Sequence, residues 1–160
     1  MEKKKQLLLV VTIPALNEAA TISTVIEGAL KPIVGVDSIK VVVIDDGSTD
    51  ETSKLAIQAG AKVISFSHNK GLGAVFGQGI KSALKMGADI IVNIDGDGQF
   101  NTEDIQKLIK PIIDGQADMV TASRFADPDL IPRMPWIKKW GKARVANIIN
   151  KLARAVLKDV

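Results

Sequence analysis

The chain has 160 residues, of which 46% are hydrophobic and 24% charged, a composition typical of a globular domain rather than a disordered chain. It contains no cysteine and one histidine, which excludes disulfides, a thiolate nucleophile and metal sites built from Cys or several His. The net charge is uneven, since residues 1–123 hold 12 Lys and Arg against 15 Asp and Glu, whereas residues 124–160 hold 9 against 3. The basic C-terminal part predicts either an anionic partner or a solvated, lysine-rich face.

Apolar, β-branched runs alternate along the chain with segments of helical periodicity. The runs predict strands at 7–13, 38–44, 61–65, 89–94 and 118–121. The periodic segments predict helices at 19–30, 50–59, 72–86, 102–114 and 138–158, and Gly60, Gly87 and Gly115 end three of them. Strict alternation of strand and helix indicates an α/β domain of Rossmann type, with a doubly wound, mainly parallel sheet and helices on both faces.

The last part of the chain differs from the rest. Pro128, Pro132 and Pro135 lie close together and predict a loop, after which 138–158 forms a basic amphipathic helix. We therefore predict a domain boundary between residues 123 and 124. The chain ends inside this helical pattern without a Gly or Pro stop signal, and we expect it to be part of a longer protein.

Polar residues follow three of the predicted strands at the point where each strand ends. They are Asn17 and Glu18 after the first strand, with Pro14 just before them, Asp45 and Asp46 after the second, and Asp95, Asp97 and Gln99 after the fourth. The carboxyl ends of parallel strands meet at one edge of a sheet, where ligands bind. Carboxylates gathered there repel one another unless a cation compensates, and all-oxygen ligands favour Mg²⁺ or Mn²⁺. For each aspartate, turn formation or helix capping is the alternative interpretation.

A glycine-rich segment with a lysine, Lys70-Gly71-Leu72-Gly73, opens the third predicted helix. Glycines at a helix N-terminus next to a lysine are able to cradle a phosphate or diphosphate. The alternative is that the glycines pack the helix closely and the lysine is simply exposed in the loop. The segment does not match the dinucleotide fingerprint, because that motif follows the first strand.

In this order, the segments "PALNE", "VVVIDDGSTDET", "NKGLGAVFGQGI" and "IVNIDGDGQF" resemble the family 2 glycosyltransferases of the GT-A fold. "DGDGQF", and "ASRF" followed by a basic helix, are most similar to the dolichyl- and polyprenyl-phosphate hexosyltransferases. The resemblance covers nearly the whole chain. One departure is Ala15-Leu16, where the family usually has a tyrosine, so stacking of that ring on the base is lost.

The resemblance implies a UDP- or GDP-hexose as the donor and roles for individual residues. Residues implied to bind the nucleotide sugar are Pro14, Asn17, Glu18, Asp45, Asp46, Lys70, Gly71 and Asp95. The implied ligands of Mg²⁺ or Mn²⁺ are Asp95, Asp97 and Gln99, and the implied catalytic residues are Asp97 and Arg124. The implied contacts to an acceptor phosphate are Arg124, Arg133, Lys139 and Arg144.

By this resemblance, 1–123 is a nucleotide-sugar-binding core and 124–160 is an acceptor loop with a basic helix, cut off before the rest of the acceptor region. The implied reaction is metal-dependent, inverting transfer of a hexose to a polyprenyl phosphate. The expected location is the cytoplasmic face of a membrane, with the protein bound peripherally, and nucleic acid is not an expected partner.

Two alternatives remain open: transfer to a soluble sugar or protein acceptor, and a nucleotide-sugar-binding module without turnover. A receiver-type signalling domain also gathers aspartates at strand ends. It is disfavoured, because it requires an acidic pair after the first strand, and the pair Asp45-Asp46 follows the second.

Overall fold

The computed structural model describes residues 6–122, which contain a four-stranded parallel sheet. The strands are β1 (Leu8–Ala15), β2 (Ser38–Asp45), β3 (Lys62–Ser65) and β4 (Ile90–Asn93), in the order β3-β2-β1-β4. The central strand β1 pairs with β2 on one side and with β4 on the other, so that Val11 lies opposite both Val41 and Val92. Its continuous apolar sequence follows from this position, because both of its faces are buried.

Helices cover both faces of the sheet. They are α1 (Ile22–Ala29), α2 (Thr52–Gln58), α3 (Leu72–Lys85) and α4 (Ile105–Ile113), the last preceded by a 3₁₀ turn at Thr102–Asp104. Apolar residues of α1, α2 and α4 pack on one face in a cluster that includes Ile13 and Val43. On the opposite face, Val75 and Ala83 of α3 pack against Val10, Val42 and Ile44, among others.

The strand order reverses beside β1, and this places the site. The chain runs outward from β1 to β2 and β3, then returns to add β4 on the other side of β1. The loop that leaves β1 leads to α1 on one face of the sheet, whereas the loop that leaves β3 leads to α3 on the other face, and a crevice opens between them. The polar motifs that follow β1, β2 and β4 all lie at this edge.

The predicted α/β class, parallel sheet and two-sided helix covering are confirmed, with strand and helix bounds that agree to within a few residues. The fifth predicted strand is wrong within the described residues: 118–121 contains no strand, and Met119 is 78% exposed. Two apolar residues give such a short segment little to bury, and it has no ladder partner among residues 6–122.

Other predictions concern residues outside the described part of the chain. These are the Pro-rich loop, the basic helix at 138–158 and the domain boundary at 123–124, all of which stay predictions. Among the described residues, no helix is long and apolar enough to cross a membrane.

Candidate functional site

A cavity of about 310 Å³ lies at the carboxyl edge of the sheet. Its walls come from the loops after β1, β2 and β4 and from the start of α3, and consist of Pro14, Ala15, Leu16, Glu18, Asp46, Asn69, Gly71, Leu72, Val75, Asp95, Gly96 and Asp97. The structure thus gathers six of the ten sequence-predicted site residues that fall among residues 6–122. The predicted residues among 6–122 that do not line this cavity are Asn17, Asp45, Lys70 and Gln99.

Asp46 fixes the loop that leads into α3. Its main-chain nitrogen donates to the carbonyl of Ala15 at 2.9 Å, which holds the residue beside the end of β1. Its carboxylate accepts two hydrogen bonds from consecutive main-chain amides, from Lys70 to Oδ1 at 2.7 Å and from Gly71 to Oδ2 at 3.0 Å. The side chain is nearly buried, with 6% of the residue's surface exposed, and still lines the cavity.

Gly47 brings the loops after β2 and β3 into direct contact. A Cβ atom at this position would lie 2.8 Å from the carbonyl carbon of His68, and the φ angle is +83°. Only glycine combines that conformation with so close an approach of two backbones. The contact positions Asn69 and Gly71 over the Asp46 carboxylate.

Asp45 is buried in a network of serines rather than exposed to the cavity. Its carboxylate accepts a hydrogen bond from the Ser48 amide at 2.8 Å and a short one from the Ser53 hydroxyl, which also contacts Ser65. Burial raises the pKa of this carboxyl, but hydrogen bonds from Ser48, Ser53 and Ser65 outweigh it and hold the pKa below its usual value. The arrangement matches the turn-forming alternative, and contact of Asp45 with a nucleotide stays a prediction.

Asn17 joins the loop after β1 to the loop after β2. Its main-chain amide donates to the Ser48 hydroxyl at 2.9 Å, and its side-chain Oδ1 accepts from the main-chain amide of Thr49 at 2.8 Å. The residue adopts φ +57°, a left-handed conformation that asparagine tolerates better than most residues. Its role as a nucleotide ligand stays a prediction, and what the structure shows is a bridge between two loops.

The start of α1 is held in the same way. The Glu18 amide donates to the Thr52 hydroxyl at 2.8 Å, and the Ala19 amide donates to Asp50 at 3.2 Å. Hydrogen bonds from Thr52, with that from Ala19, lower the pKa of the Asp50 carboxyl. The Glu18 side chain accepts from the Thr21 hydroxyl at 3.3 Å and lines the cavity, so the loop bonds position a carboxylate at its wall.

Asp95 and Asp97 both line the cavity from the loop after β4. Gly96 between them is buried, and a Cβ there would lie 3.3 Å from the carbonyl oxygen of Pro14, while its own carbonyl accepts from the Thr21 hydroxyl at 2.7 Å. The loop is therefore pinned against β1 and α1. Asp97 Oδ1 accepts the Gln99 amide at 2.9 Å, whereas within residues 6–122 the exposed Asp95 carboxylate has no hydrogen-bond or ion-pair partner.

The donor set fits a divalent ion that is shared with a phosphate ligand. Within the described chain no group of three or more acidic or histidine side chains is arranged to hold a metal. Mg²⁺ is usually held by one or two carboxylates together with phosphate oxygens and water, and Asp95 and Asp97 supply that number. The ion pairs among residues 6–122 join Lys31, Lys54, Lys107 and Lys110 to acids elsewhere, so no described lysine neutralises this pair.

Lys70 does not line the cavity. Its Nζ lies 4.5 Å from the centre of the Phe66 ring, a cation–π contact that occupies the ammonium group. The amides of Lys70 and Gly71 donate to Asp46, so the sequence-predicted cradle at this helix start is already filled by a carboxylate of the chain.

The cavity residues that were not among the predicted site residues are Ala15, Leu16, Asn69, Leu72, Val75 and Gly96, and two of them lie next to the predicted Lys70-Gly71 pair. Asn69 accepts the Gly71 amide at 3.0 Å through its side chain and lines the cavity, as does Leu72, which is 69% exposed. Both flank the Lys70-Gly71 pair in the sequence, and this proximity to predicted site residues is the only feature from which they could have been predicted. The predicted acceptor residues Arg124, Arg133, Lys139 and Arg144 lie outside the described residues.

Comparison with known proteins gives a consistent set of similarities. The family described as "Glycosyl transferase family 2" matches residues 10–159. UDP-N-acetylglucosamine–dolichyl-phosphate N-acetylglucosaminyltransferase of Methanococcus voltae is 34% identical over 84% of this chain and 59% of its own length. Polyprenol monophosphomannose synthase of Mycolicibacterium smegmatis is 27% identical over 74% of this chain and 46% of its own.

A solved structure is also similar. It is glucosyl-3-phosphoglycerate synthase of Mycobacterium tuberculosis in complex with Mn²⁺, UDP and phosphoglyceric acid, with a TM-score of 0.54 and 32% identity over 66% of this chain and 39% of that one. The chain thus spans about half the length of the curated relatives it matches.

Proposed function

Because the chain belongs to glycosyl transferase family 2, with the GT-A fold, we propose that the protein transfers a hexose from a nucleoside diphosphate sugar to a polyprenyl phosphate. The observation that carries this proposal is the cavity at the strand-order reversal, lined by Glu18, Asp46, Asp95 and Asp97 without a described lysine to neutralise them. An anionic donor enters such a cavity only with a cation. UDP with Mn²⁺ in the similar mycobacterial structure supports this donor class.

In the proposed reaction an oxygen of the acceptor phosphate attacks the anomeric carbon of the sugar, so that a new C–O bond forms there while the bond from that carbon to the nucleoside diphosphate breaks and the nucleoside diphosphate leaves. Asp95 and Asp97 would hold Mg²⁺ or Mn²⁺, which acts as a Lewis acid on the diphosphate oxygens when bound. Pro14 and Leu16 present apolar surface where the nucleotide enters, and Glu18 lies on the same wall. The pinned loop around Gly96 holds both aspartates in place before the donor arrives, which reduces the reorganisation that the reaction requires.

The lipid phosphate is the proposed acceptor because two relatives carry dolichyl phosphate or polyprenol in their names and because residues 124–160 are basic. A phosphate acceptor is already an anion near neutral pH, so the reaction requires no strong general base. We assign Arg124, Arg133, Lys139 and Arg144 to the acceptor phosphate from the sequence alone. Peripheral binding at the cytoplasmic face of a membrane belongs to the same proposal.

The test is a transfer assay on the full-length protein with Mn²⁺ or Mg²⁺. UDP-glucose, UDP-N-acetylglucosamine and GDP-mannose are offered in turn, each with a polyprenyl phosphate in detergent. We expect one donor to yield a chelator-sensitive glycolipid. Donor binding without transfer to any acceptor would instead favour the nucleotide-sugar-binding module.

A second candidate is transfer to phosphoglycerate. It is favoured by the similarity to glucosyl-3-phosphoglycerate synthase, whose structure holds phosphoglyceric acid with UDP. The same assay with 3-phosphoglycerate in place of the lipid separates the two, since each acceptor gives a product of different solubility. Transfer to phosphoglycerate alone would replace the lipid proposal and leave the donor assignment intact.

A further inference from the structure

The Asp46 carboxylate occupies the positive end of α3. Both of its oxygens accept main-chain amides, Lys70 at 2.7 Å and Gly71 at 3.0 Å, and Gly71 is the residue from which the 14-residue helix starts. A carboxylate at a helix N-terminus is favourable, because it satisfies amides that have no partner within the helix and opposes the helix dipole. The main-chain amides of Lys70 and Gly71 are thus already bound.

The loop held by Asp46 forms one wall of the cavity. The cavity is lined on this side by Asn69, Gly71, Leu72 and Val75. Asp46 also lines it, although only 6% of its surface is exposed. Loss of the carboxylate would release the Lys70 amide and leave the Gly71 amide with the Asn69 side-chain oxygen as its acceptor, so the segment would lose its link to β2. The shape of the cavity therefore depends on Asp46 also at the parts of the wall that Asp46 does not itself form.

We propose that Asp46 is a positioning residue, which shapes the nucleotide site by holding the 69–72 loop, and that the Lys70 and Gly71 amides do not bind the donor diphosphate. The proposal rests on the proposed function for its nucleotide, and on the described hydrogen bonds for the rest. It assigns the diphosphate to the Asp95 and Asp97 side of the cavity.

Gly71 offers an independent way to disturb the same loop. It adopts φ +84° and ψ 160°, which only glycine adopts readily, yet a Cβ there would meet nothing within 4 Å. Gly71→Ala therefore alters the backbone of the loop without a steric clash. Gly77→Ala is the matched control, because Gly77 lies inside α3 with equally open space and no positive φ.

The first experiment measures amide hydrogen exchange in the full-length protein without nucleotide. The Lys70 amide should be protected in the wild type and should exchange about tenfold faster or more in Asp46→Ala, whereas the Gly71 amide keeps the Asn69 side-chain oxygen as an acceptor and should change less. Asp46→Asn keeps one acceptor oxygen and should retain most of the protection at Lys70, which makes the shorter bond. Unprotected amides in the wild type would overturn the proposal, and this result does not depend on any nucleotide.

The second experiment measures the Kd of UDP and GDP by calorimetry in the presence of Mn²⁺. Asp46→Ala and Gly71→Ala should each weaken binding of the tighter nucleotide about tenfold or more, and Gly77→Ala by less than about twofold. The double variant of Asp46 and Gly71 should lose no more affinity than the worse single variant. Losses that multiply in the double variant would show that Asp46 contacts the nucleotide directly and would overturn the proposal. If neither nucleotide binds the wild type, the proposed function fails, and hydrogen exchange alone decides the role of Asp46.

Discussion

The main-chain nitrogen of Asn17 lies 2.9 Å from the hydroxyl oxygen of Ser48 and donates a hydrogen bond to it, although 31 positions separate the two residues. The Asn17 side chain makes a second hydrogen bond to the same loop, because its Oδ1 accepts from the main-chain amide of Thr49 at 2.8 Å. The loops after β1 and β2 thus form one unit at the edge of the sheet. The cavity wall built by Glu18 and Asp46 depends on this unit, because each of these residues follows one of the joined strands.

Two replacements of Asn17 should distinguish the stability contributed by its side-chain hydrogen bond from the stability lost when another residue adopts its left-handed backbone conformation. Asn17→Ala loses the acceptor for Thr49 and places alanine at φ +57°, so we expect a loss of about 1–3 kcal/mol in the free energy of unfolding. Asn17→Gly loses only the acceptor, because glycine adopts positive φ freely, and should cost less. Urea unfolding of both variants measures the difference.

Gln58→Ala serves as the control for this series, since Gln58 is an exposed amide without a side-chain hydrogen bond among the described residues. It should change stability by less than about 0.5 kcal/mol. Equal stability of Asn17→Ala and wild type would contradict the bridging role.

Local pattern in the sequence was sufficient to predict β1 to β4 and all four described helices. Buried parallel strands are continuous apolar runs, and the glycines at 60, 87 and 115 do adopt positive φ where the helices end. The predicted strand at 118–121 failed because a strand also needs a neighbour, which a local pattern does not reveal.

Residue type predicted which side chains gather at the sheet edge, but not their partners. Asp45 and Asp46 are adjacent and chemically identical, yet Asp45 accepts from Ser48 and Ser53 whereas Asp46 accepts from Lys70 and Gly71. Those partners depend on the close contact of Gly47 with His68, a tertiary contact that the spacing does not encode. Asn69 was missed for the same reason.

Gly47→Ala should be among the most destabilising single substitutions in the described part of the chain. The new methyl group would lie 2.8 Å from the His68 carbonyl carbon at φ +83°, so the loop after β3 would have to move. We expect a loss of about 2 kcal/mol or more in the free energy of unfolding. Gly77→Ala is the control, because Gly77 has nothing within 4 Å and lies inside α3, and it should be neutral or stabilising by urea unfolding.

The Asp45 network predicts a dependence of stability on pH. The pKa of this carboxyl lies below the usual 3.8, so the ionised form stabilises the folded state above that pH, and this contribution is lost as pH falls through the lower folded pKa. Ser53→Ala removes one donor and should move the pKa of Asp45 back toward 3.8. NMR titration of the Asp45 carboxyl carbon measures this directly.

Urea unfolding over the same acid range gives a second measure. The stability difference between wild type and Ser53→Ala should be constant above the usual Asp pKa and should shrink as pH falls below it. Ser67→Ala removes an exposed hydroxyl bonded to His68, not to Asp45, and should leave the acid profile unchanged. A Ser53→Ala profile parallel to that of the wild type at every pH would argue against this network.

Asp97→Ala should abolish the metal-dependent part of donor affinity. Asp95 and Asp97 are the two acids of the loop after β4 that line the cavity. Removal of either leaves only one carboxylate of this loop to bind a divalent ion. Titration of UDP- or GDP-sugar with Mn²⁺, and then with chelator, should show a large difference for wild type and almost none for the variant. Glu27→Ala, which removes an exposed acid of α1 outside the cavity, should behave like the wild type. An unchanged metal effect in Asp97→Ala would remove Asp97 from the proposed ion site.

The last prediction concerns the basic C-terminal part, where residues 124–160 carry 9 Lys and Arg against 3 Asp and Glu. Each cation near an anionic membrane contributes about 1 kcal/mol, and this attraction weakens with salt, so the full-length protein should float with anionic vesicles at low salt. Neutral vesicles serve as the control and should bind less. The Arg124→Ala and Arg133→Ala double variant should lose transfer to polyprenyl phosphate while UDP or GDP affinity stays at the wild-type level, because neither residue is assigned to the nucleotide. Vesicle binding that is absent at low salt, together with wild-type transfer by the double variant, would refute the assignment of this segment to a lipid phosphate.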